Sequence, residues 1–131
     1  MVNPTVKRKL DDSKPLFLQI KDRIEDQIVN RQLKEHEQIP STTQLVNFYK
    51  VNHLTVAKGV NLLVEEGIVY KKRGVGMFVA EGAREKLLKQ RRERFVDEYV
   101  VPLVEEAGKL GISDEEIFQL IKEIKGSEKD V

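Results

Sequence analysis

A short run of hydrogen-bonding side chains opens one predicted helix, and their chemistry suits contact with the edges of nucleic-acid bases. Asn52, His53 and Thr55 carry donors and acceptors, and Leu54 lies among them. Lys58 follows Leu54 by four residues, which places it on the same exposed face. The major groove of duplex DNA is wide enough to admit such a helix. The run therefore predicts a helix that reads base edges, although an ordinary amphipathic helix with a solvated face fits this segment equally well.

The predicted helix has a clear start and end. The Asn52 side chain can accept a hydrogen bond from an amide of the first turn, which is typical of an N-cap. Gly67 can adopt the left-handed conformation that ends a helix. Its buried face consists of apolar residues at helical spacing: Val56, Val60, Leu63 and Val64.

A second helix is predicted immediately before it. Ser41 and Gln44 have the spacing of a capping box, and Leu45 and Phe48 give the segment an apolar face as far as about Lys50. Only a short turn then precedes the helix that begins after Asn52, so the pair predicts a helix-turn-helix. Further upstream, isoleucines at four-residue intervals predict another helix from Pro15 to about Arg31, followed by a short extended link to Ile39.

A basic hairpin is predicted directly after Gly67. Residues 68–73 and 77–79 are rich in β-prone side chains, and the glycines between them favour a turn. Lys72 and Arg73 could neutralise phosphates, and Gly76 could let the main chain approach a DNA backbone closely. A surface hairpin with solubilising lysines is the alternative, but a hairpin that follows a helix-turn-helix favours a DNA-contacting wing.

The last fifty residues predict two helices with exposed apolar faces. Pro102 is expected to kink the first helix or to end it near Val101. Two helices enclose little core alone, so a two-fold dimer would supply the missing partner; folding back onto the rest of the chain is the alternative. The predicted dimerisation residues are Leu88, Phe95, Tyr99, Leu103, Ile117, Leu120, Ile121 and Ile124.

The composition is that of a small soluble protein, with 40% apolar and 34% charged residues among 131. Residues 1–80 carry 13 Lys+Arg and 9 Asp+Glu, whereas residues 81–131 carry 10 and 13. A basic front half suits phosphate contact, although many domains without a nucleic-acid partner carry as much charge.

We expect a flexible arm over residues 1–12, a winged helix-turn-helix domain over 13–80 and a helical dimerisation tail over 81–131. The predicted fold class is mostly α with a small β-hairpin.

Several classes of protein are not expected from this chain. It has no cysteine, which excludes disulfides and thiolate zinc sites. No serine lies in a nucleophile elbow and no metal or cofactor motif is present, so we predict neither an enzyme nor a bound cofactor. No long apolar run or signal-like start occurs, and a cytoplasmic protein without a membrane partner is expected.

The motifs together resemble the winged helix-turn-helix of the GntR family of bacterial regulators, and the whole chain is similar to its short-tailed YtrA subfamily. The similar segments are Pro15 to Ile20, Ile39-Pro40-Ser41, Val51-Asn52 with Thr55-Val56, Glu66-Gly67-Ile68, and Arg73 to Val79. The resemblance implies a dimeric transcription factor, usually a repressor of its own operon, often one encoding a membrane transporter. The DNA contacts it implies are Ser41, Thr43, Asn52, His53, Leu54, Thr55, Lys58, Arg73 and Gly76.

Sequence-specific binding of double-stranded DNA by a homodimer is the function that these observations favour. No residue cluster indicates a small-molecule effector. The alternative is a protein–protein adaptor, in which the wing and the acidic tail bind other proteins. Because phosphate contacts release counterions, a strong salt dependence of binding would favour the first function over the second.

Overall fold

The computed structural model describes residues 13–129, so the predicted arm over residues 1–12 lies outside the described residues. The fold class predicted from the sequence is confirmed: the described residues are mostly helical and include an antiparallel hairpin. In chain order the elements are α1 (Leu16–Val29), α2 (Thr42–Tyr49), α3 (His53–Glu65), β1 (Val69–Lys72), β2 (Gly76–Val79), α4 (Ala83–Phe95), a π-helical turn (Val96–Val100), α5 (Val101–Leu110) and α6 (Asp114–Lys129).

The described residues form two compact units, which meet in sequence between Gln90 and Arg91. The core of the first unit consists of apolar side chains from every element up to α4. Its fully buried members include Ile20, Ile24, Ile28, Val56, Val60, Leu63, Ile68, Val69, Val79 and Leu87. Ala83 and Leu87 belong to α4, so the first unit extends past the boundary expected at residue 80, because the start of α4 completes its core.

Local hydrogen bonds fix the two helices of the predicted helix-turn-helix. The Ser41 hydroxyl accepts from the Gln44 amide at 3.1 Å, and the Gln44 side chain accepts from the Ser41 amide at 2.8 Å, which confirms the capping box. The Asn52 side-chain oxygen caps α3 by accepting from the Thr55 amide. Between the two helices the chain turns through Lys50, whose φ of 58° is left-handed.

Gly59 allows α3 to lie against the backbone of α1. A Cβ atom at this position would be 2.6 Å from the main-chain oxygen of Phe17, well inside van der Waals contact. The absence of a side chain therefore sets how closely α3 approaches α1, and with it the position of the exposed start of α3.

The hairpin pairs β1 with β2 in antiparallel register, with Lys72 opposite Gly76. The link before α2 was expected to be extended, but it turns at Glu35 and His36, where the φ of His36 is 66°, and only its end runs along the free edge of β2. His36 donates its amide to the Val79 carbonyl at 2.8 Å, and Ile39 donates to the Met77 carbonyl at 2.9 Å. These bonds tie the hairpin to the segment that leads into α2.

The helix that precedes Pro102 does not end near Val101, which was one of the two outcomes expected at this proline; the other was a kink. The residues Val96–Val100 form a π-helical turn, in which Val101 donates its amide to the Val96 carbonyl five residues earlier. Pro102 follows directly as the second residue of α5, and it has no amide hydrogen with which to continue the hydrogen-bond pattern. The wider turn thus accommodates the proline within a continuous helical path.

The second unit, from Arg91, consists of the end of α4, the π-helical turn, α5 and α6. Ser113 caps α6: its hydroxyl accepts from the Glu116 amide at 3.1 Å. Across residues 13–129, no helix has both the length and the apolar composition that a membrane crossing needs.

Candidate nucleic-acid interface

The start of α3 projects a set of exposed side chains. Leu54 is 79% exposed, His53 is also exposed, and Thr55 is half-buried. The Asn52 oxygen lies 2.7 Å from the Thr55 amide nitrogen, so the cap engages the oxygen and not the NH2 group. This tip therefore offers donors, acceptors and one apolar side chain, the groups that distinguish base pairs in a major groove.

Lys58 lies one turn further along α3, and its ammonium group lies over an aromatic ring of α1. Its Nζ atom is 4.1 Å from the centre of the Phe17 ring, within cation–π range. The side chain stays exposed at the surface of the unit. The ammonium group thus lies near α1, beside Phe17.

An aromatic ring lies beneath one basic side chain of the hairpin, Lys72, a feature that the sequence pattern does not reveal. Tyr70 and Phe78 stack across the strands with centroids 5.7 Å apart, and the Lys72 Nζ lies 4.8 Å from the Phe78 centroid. His36 Nδ1 is 3.0 Å from the Tyr70 hydroxyl oxygen. Arg73, at the tip, is exposed. The aromatic pair therefore lies beneath Lys72, whereas Arg73 lies beyond it at the tip.

A groove of about 290 Å³ brings the hairpin and the start of α2 together. Ser41 and Thr42 line one side of it, and Lys71, Lys72 and the glycine-rich tip line the other. Thr43 lies next to this groove in the first turn of α2 and is exposed. Predicted contact residues that are far apart in sequence thus border one concave, hydroxyl-lined and basic surface.

Gly76 has an additional structural role. A Cβ atom there would lie 2.3 Å from the side-chain nitrogen of Gln38, which occupies the space beside the glycine. The same nitrogen donates to the Val75 carbonyl oxygen at 3.1 Å. Gln38 was not among the predicted site residues, and no local sequence signal identifies it.

A partly buried charge network lies at the other end of α3. Lys21 Nζ is 3.0 Å from a Glu25 carboxylate oxygen and 3.2 Å from one of Glu66. Burial by itself would lower the pKa of the Lys21 ammonium, but hydrogen bonds and charge from the two carboxylates outweigh it and raise the pKa above its usual 10.5. This network fastens α1 to the C-terminal end of α3.

Most of the predicted dimerisation residues are solvent-exposed. Phe95, Tyr99 and Leu103 are 54%, 65% and 46% exposed, and Leu120, Ile121 and Ile124 lie between 43% and 59%. Leu88 and Ile117 are half-buried. Further exposed apolar side chains that the sequence analysis did not select are Val96, Val104 and Phe118.

Among residues 13–129, no group of three or more His, Cys, Asp or Glu side chains is placed to hold a metal ion.

Comparison with known sequences identifies similar proteins over both units. The profile described as "Bacterial regulatory proteins, gntR family" matches residues 16–79. The chain is 30% identical over 114 residues to the HTH-type transcriptional regulator YhcF of Bacillus subtilis, covering 87% of this chain and 93% of YhcF. It is 27% identical over 117 residues to the HTH-type transcriptional repressor YtrA of the same organism, covering 89% of each.

Solved structures show the same fold. A GntR family transcriptional regulator from Listeria monocytogenes superposes with a TM-score of 0.70 at 27% identity, covering 87% of this chain and 98% of that one. The AraR DNA-binding domain, in a complex with operator ORR3, superposes with a TM-score of 0.51 at 27% identity, covering 56% of this chain and 89% of that one.

Proposed function

Because the chain belongs to the GntR family of bacterial regulatory proteins, we propose that it is a transcriptional regulator that binds double-stranded DNA in a sequence-specific manner. The observation that carries the proposal is the groove between the hairpin and α2, which gathers Ser41, Thr42 and the basic wing beside α3. The operator complex of the similar AraR domain supports the same partner for this chain.

The two parts of the surface have different tasks in this proposal. The tip of α3, with His53, Leu54 and Thr55, reads base edges in the major groove. The wing residues Lys72 and Arg73, with Ser41 at the start of α2, contact phosphates. Base contacts each discriminate by about 1–3 kcal/mol, whereas phosphate contacts add affinity that does not depend on sequence.

The direct test is selection of bound fragments from random duplex DNA, followed by affinity measurements across salt concentrations. A preferred sequence is expected, with a slope of log affinity against log salt of about −0.9 for each phosphate neutralised. Arg73→Ala should weaken all sequences similarly and make the slope shallower by about 1, whereas Thr55→Ala should relax preference at one position. Lys122→Ala, on exposed α6, is the control.

A different result would favour the adaptor function. If no sequence is enriched and affinity does not depend on salt, DNA is not the partner, and binding of proteins through the wing or the acidic tail becomes the better explanation.

We further propose that the chain acts as a homodimer of the YtrA type and represses transcription from a two-fold operator. Support comes from the similarity to the repressor YtrA along most of its length and from the exposed apolar residues of the second unit. A two-fold dimer would place two α3 helices roughly 34 Å apart, one DNA turn, in adjacent major grooves. The regulated genes, often transporter genes in this subfamily, would follow from the selected sequence.

Light scattering tests the dimer. The wild type should have twice the 15.1 kDa chain mass, and Leu103→Asp or Ile121→Asp should reduce it to the mass of one chain. Lys122→Asp, next to Ile121, is the matched control. A monomeric wild type would contradict the proposal and favour a tail that folds back on its own chain.

A further inference from the structure

Gln38 holds the tip of the wing through its side chain. Its Nε2 atom donates to the Val75 carbonyl oxygen at 3.1 Å, and its amide group fills the space beside Gly76. Gly76 has a φ of 146°, within the region that disfavours L side chains, and a Cβ atom there would collide with Gln38. The structure of the wing therefore requires glycine at this position for two reasons: the backbone conformation disfavours other residues, and a side chain would collide with Gln38.

The main chain around Gln38 is also fixed against the hairpin. Gln38 forms an isolated bridge with Phe78, and the residues on either side pair with β2: Val79 donates to the Glu37 carbonyl, and Ile39 donates to the Met77 carbonyl, both at 2.9 Å. The side chain of Gln38 therefore starts from a rigid base and reaches along the hairpin towards its tip.

The tip has little other support. The strands are four residues each, and a two-stranded hairpin is marginally stable on its own. Within the turn, Val75 donates its amide to the Lys72 carbonyl at 3.0 Å. Gly74, with a φ of 76°, has nothing within 4 Å of the position that a Cβ atom would take. The hydrogen bond from the Gln38 side chain thus connects this turn to the body of the unit.

Gln38 also lies on the segment that carries the start of α2. Ser41 follows it by three residues, and both line the groove that Lys72 and Gly76 border. A side chain that fixes the tip to this segment consequently fixes the distance between the wing cations and Ser41.

We propose that Gln38 is a positioning residue for DNA binding, which holds the wing tip so that Arg73 meets a phosphate in register with the contacts of α2 and α3. The inference rests on the proposed function. Gln38 itself does not contact DNA in this proposal. It affects binding by holding Arg73 in position.

The test compares full-length Gln38→Met and Gln38→Glu with the wild type on the duplex recovered by selection. Methionine keeps the length of the side chain but cannot donate to Val75, and glutamate also faces that carbonyl with negative charge. Affinity should fall about five- to ten-fold for Gln38→Met and further for Gln38→Glu, and the salt slope should become shallower by about 1 as a wing phosphate contact is lost. Gln32→Met, an exposed glutamine outside the site, should change neither quantity.

A double-mutant cycle separates positioning from a general structural role. In an Arg73→Ala background, Gln38→Met should cause little further loss of affinity or slope, because the contact that it positions is already absent. An undiminished effect in that background would overturn the inference, as would an unchanged salt slope or a loss of affinity that follows a lowered melting temperature. Failure of the wild type to prefer any duplex would instead overturn the proposed function, and the inference with it.

Discussion

The Nε atom of Arg84 lies 2.9 Å from the main-chain carbonyl oxygen of Val29, the last residue of α1. Two residues further along α4, the Lys86 ammonium donates to the carbonyl of Glu66, the C-cap of α3. Neither α1 nor α3 has a basic residue in its own last turn. The first turns of α4 therefore supply cations to the negative ends of two helix dipoles.

Removing either cation should destabilise the first unit. Arg84→Met and Lys86→Met keep much of the apolar stem but lose the charge, and each should lower the free energy of unfolding by about 0.3–1 kcal/mol, less at high salt. Urea denaturation with an unchanged m-value measures the effect. Lys89→Met, on the same helix, is the control for loss of charge alone, and an equal loss in that variant would contradict the capping role.

Lys21→Met should cost more, because it leaves the buried Glu25 carboxylate without its cation. We expect a loss of about 2 kcal/mol near neutral pH, between the values typical of exposed and of fully buried pairs. The folded-state pKa of Lys21 is raised above 10.5, so the stabilisation is complete below that pH and is lost as pH rises through the folded pKa.

The pH dependence gives this prediction a second check. The difference in unfolding free energy between the wild type and Lys21→Met should be largest near neutral pH and should narrow as the pH rises above 10.5 and through the raised pKa of Lys21. Lys14→Met, which breaks an exposed pair with Asp22, should cost at most about 1 kcal/mol. A Lys21 effect no larger than the Lys14 effect would show that the network contributes little.

Asn52 combines a structural task with a proposed functional one, and two substitutions separate them. Asn52→Ala removes the cap of α3 and should lower stability by about 1 kcal/mol, whereas Asn52→Ser can still accept from the Thr55 amide and should retain it. If the NH2 group contacts DNA, the serine variant will be as stable as the wild type yet will bind the selected duplex more weakly. An alanine variant of undiminished stability would contradict the cap.

Gly59→Ala should displace α3 from α1. The added Cβ atom would lie 2.6 Å from the Phe17 carbonyl oxygen, a backbone atom that cannot turn aside. We expect a loss of about 1–3 kcal/mol, typical of overpacking, and weaker DNA binding because the tip of α3 moves with its helix. Gly108→Ala, in open space on α5, is the control and should be neutral or stabilising. A fully stable Gly59→Ala with normal affinity would show that the two helices separate at little cost.

Features governed by neighbouring residues were predictable from the sequence. The caps at Ser41 and Asn52 depend on hydrogen bonds between residues three apart. The hairpin depends on two runs of β-prone residues that a glycine-rich turn separates. Residue type and spacing are sufficient for such features. The caps locate the two helices of the helix-turn-helix, and the β-prone runs that come next locate the wing.

Contacts between distant residues were not predictable in this way. Gln38 and Val75 are 37 residues apart, and nothing in the sequence near Gln38 indicates where its amide will be accepted. Lys58 and Phe17 are likewise joined only once α3 lies on α1, so the sequence predicts the exposed lysine but not the ring beneath it. The sequence also indicates that Pro102 disturbs a helix, yet whether the chain bends, stops or widens depends on the packing of its neighbours.

The widened turn at Val96–Val100 gives this chain one place where its length can vary at little cost. An α-helix rotates by about 100° per residue, so losing a residue within α5 would turn every later side chain away from its neighbours. A π-helical turn takes up one residue more than an α-helical turn over the same revolution. Shortening the chain by one residue there would convert the turn to regular helix and leave the later faces in phase, so a one-residue gap in an alignment of this helix belongs at Val96–Val100.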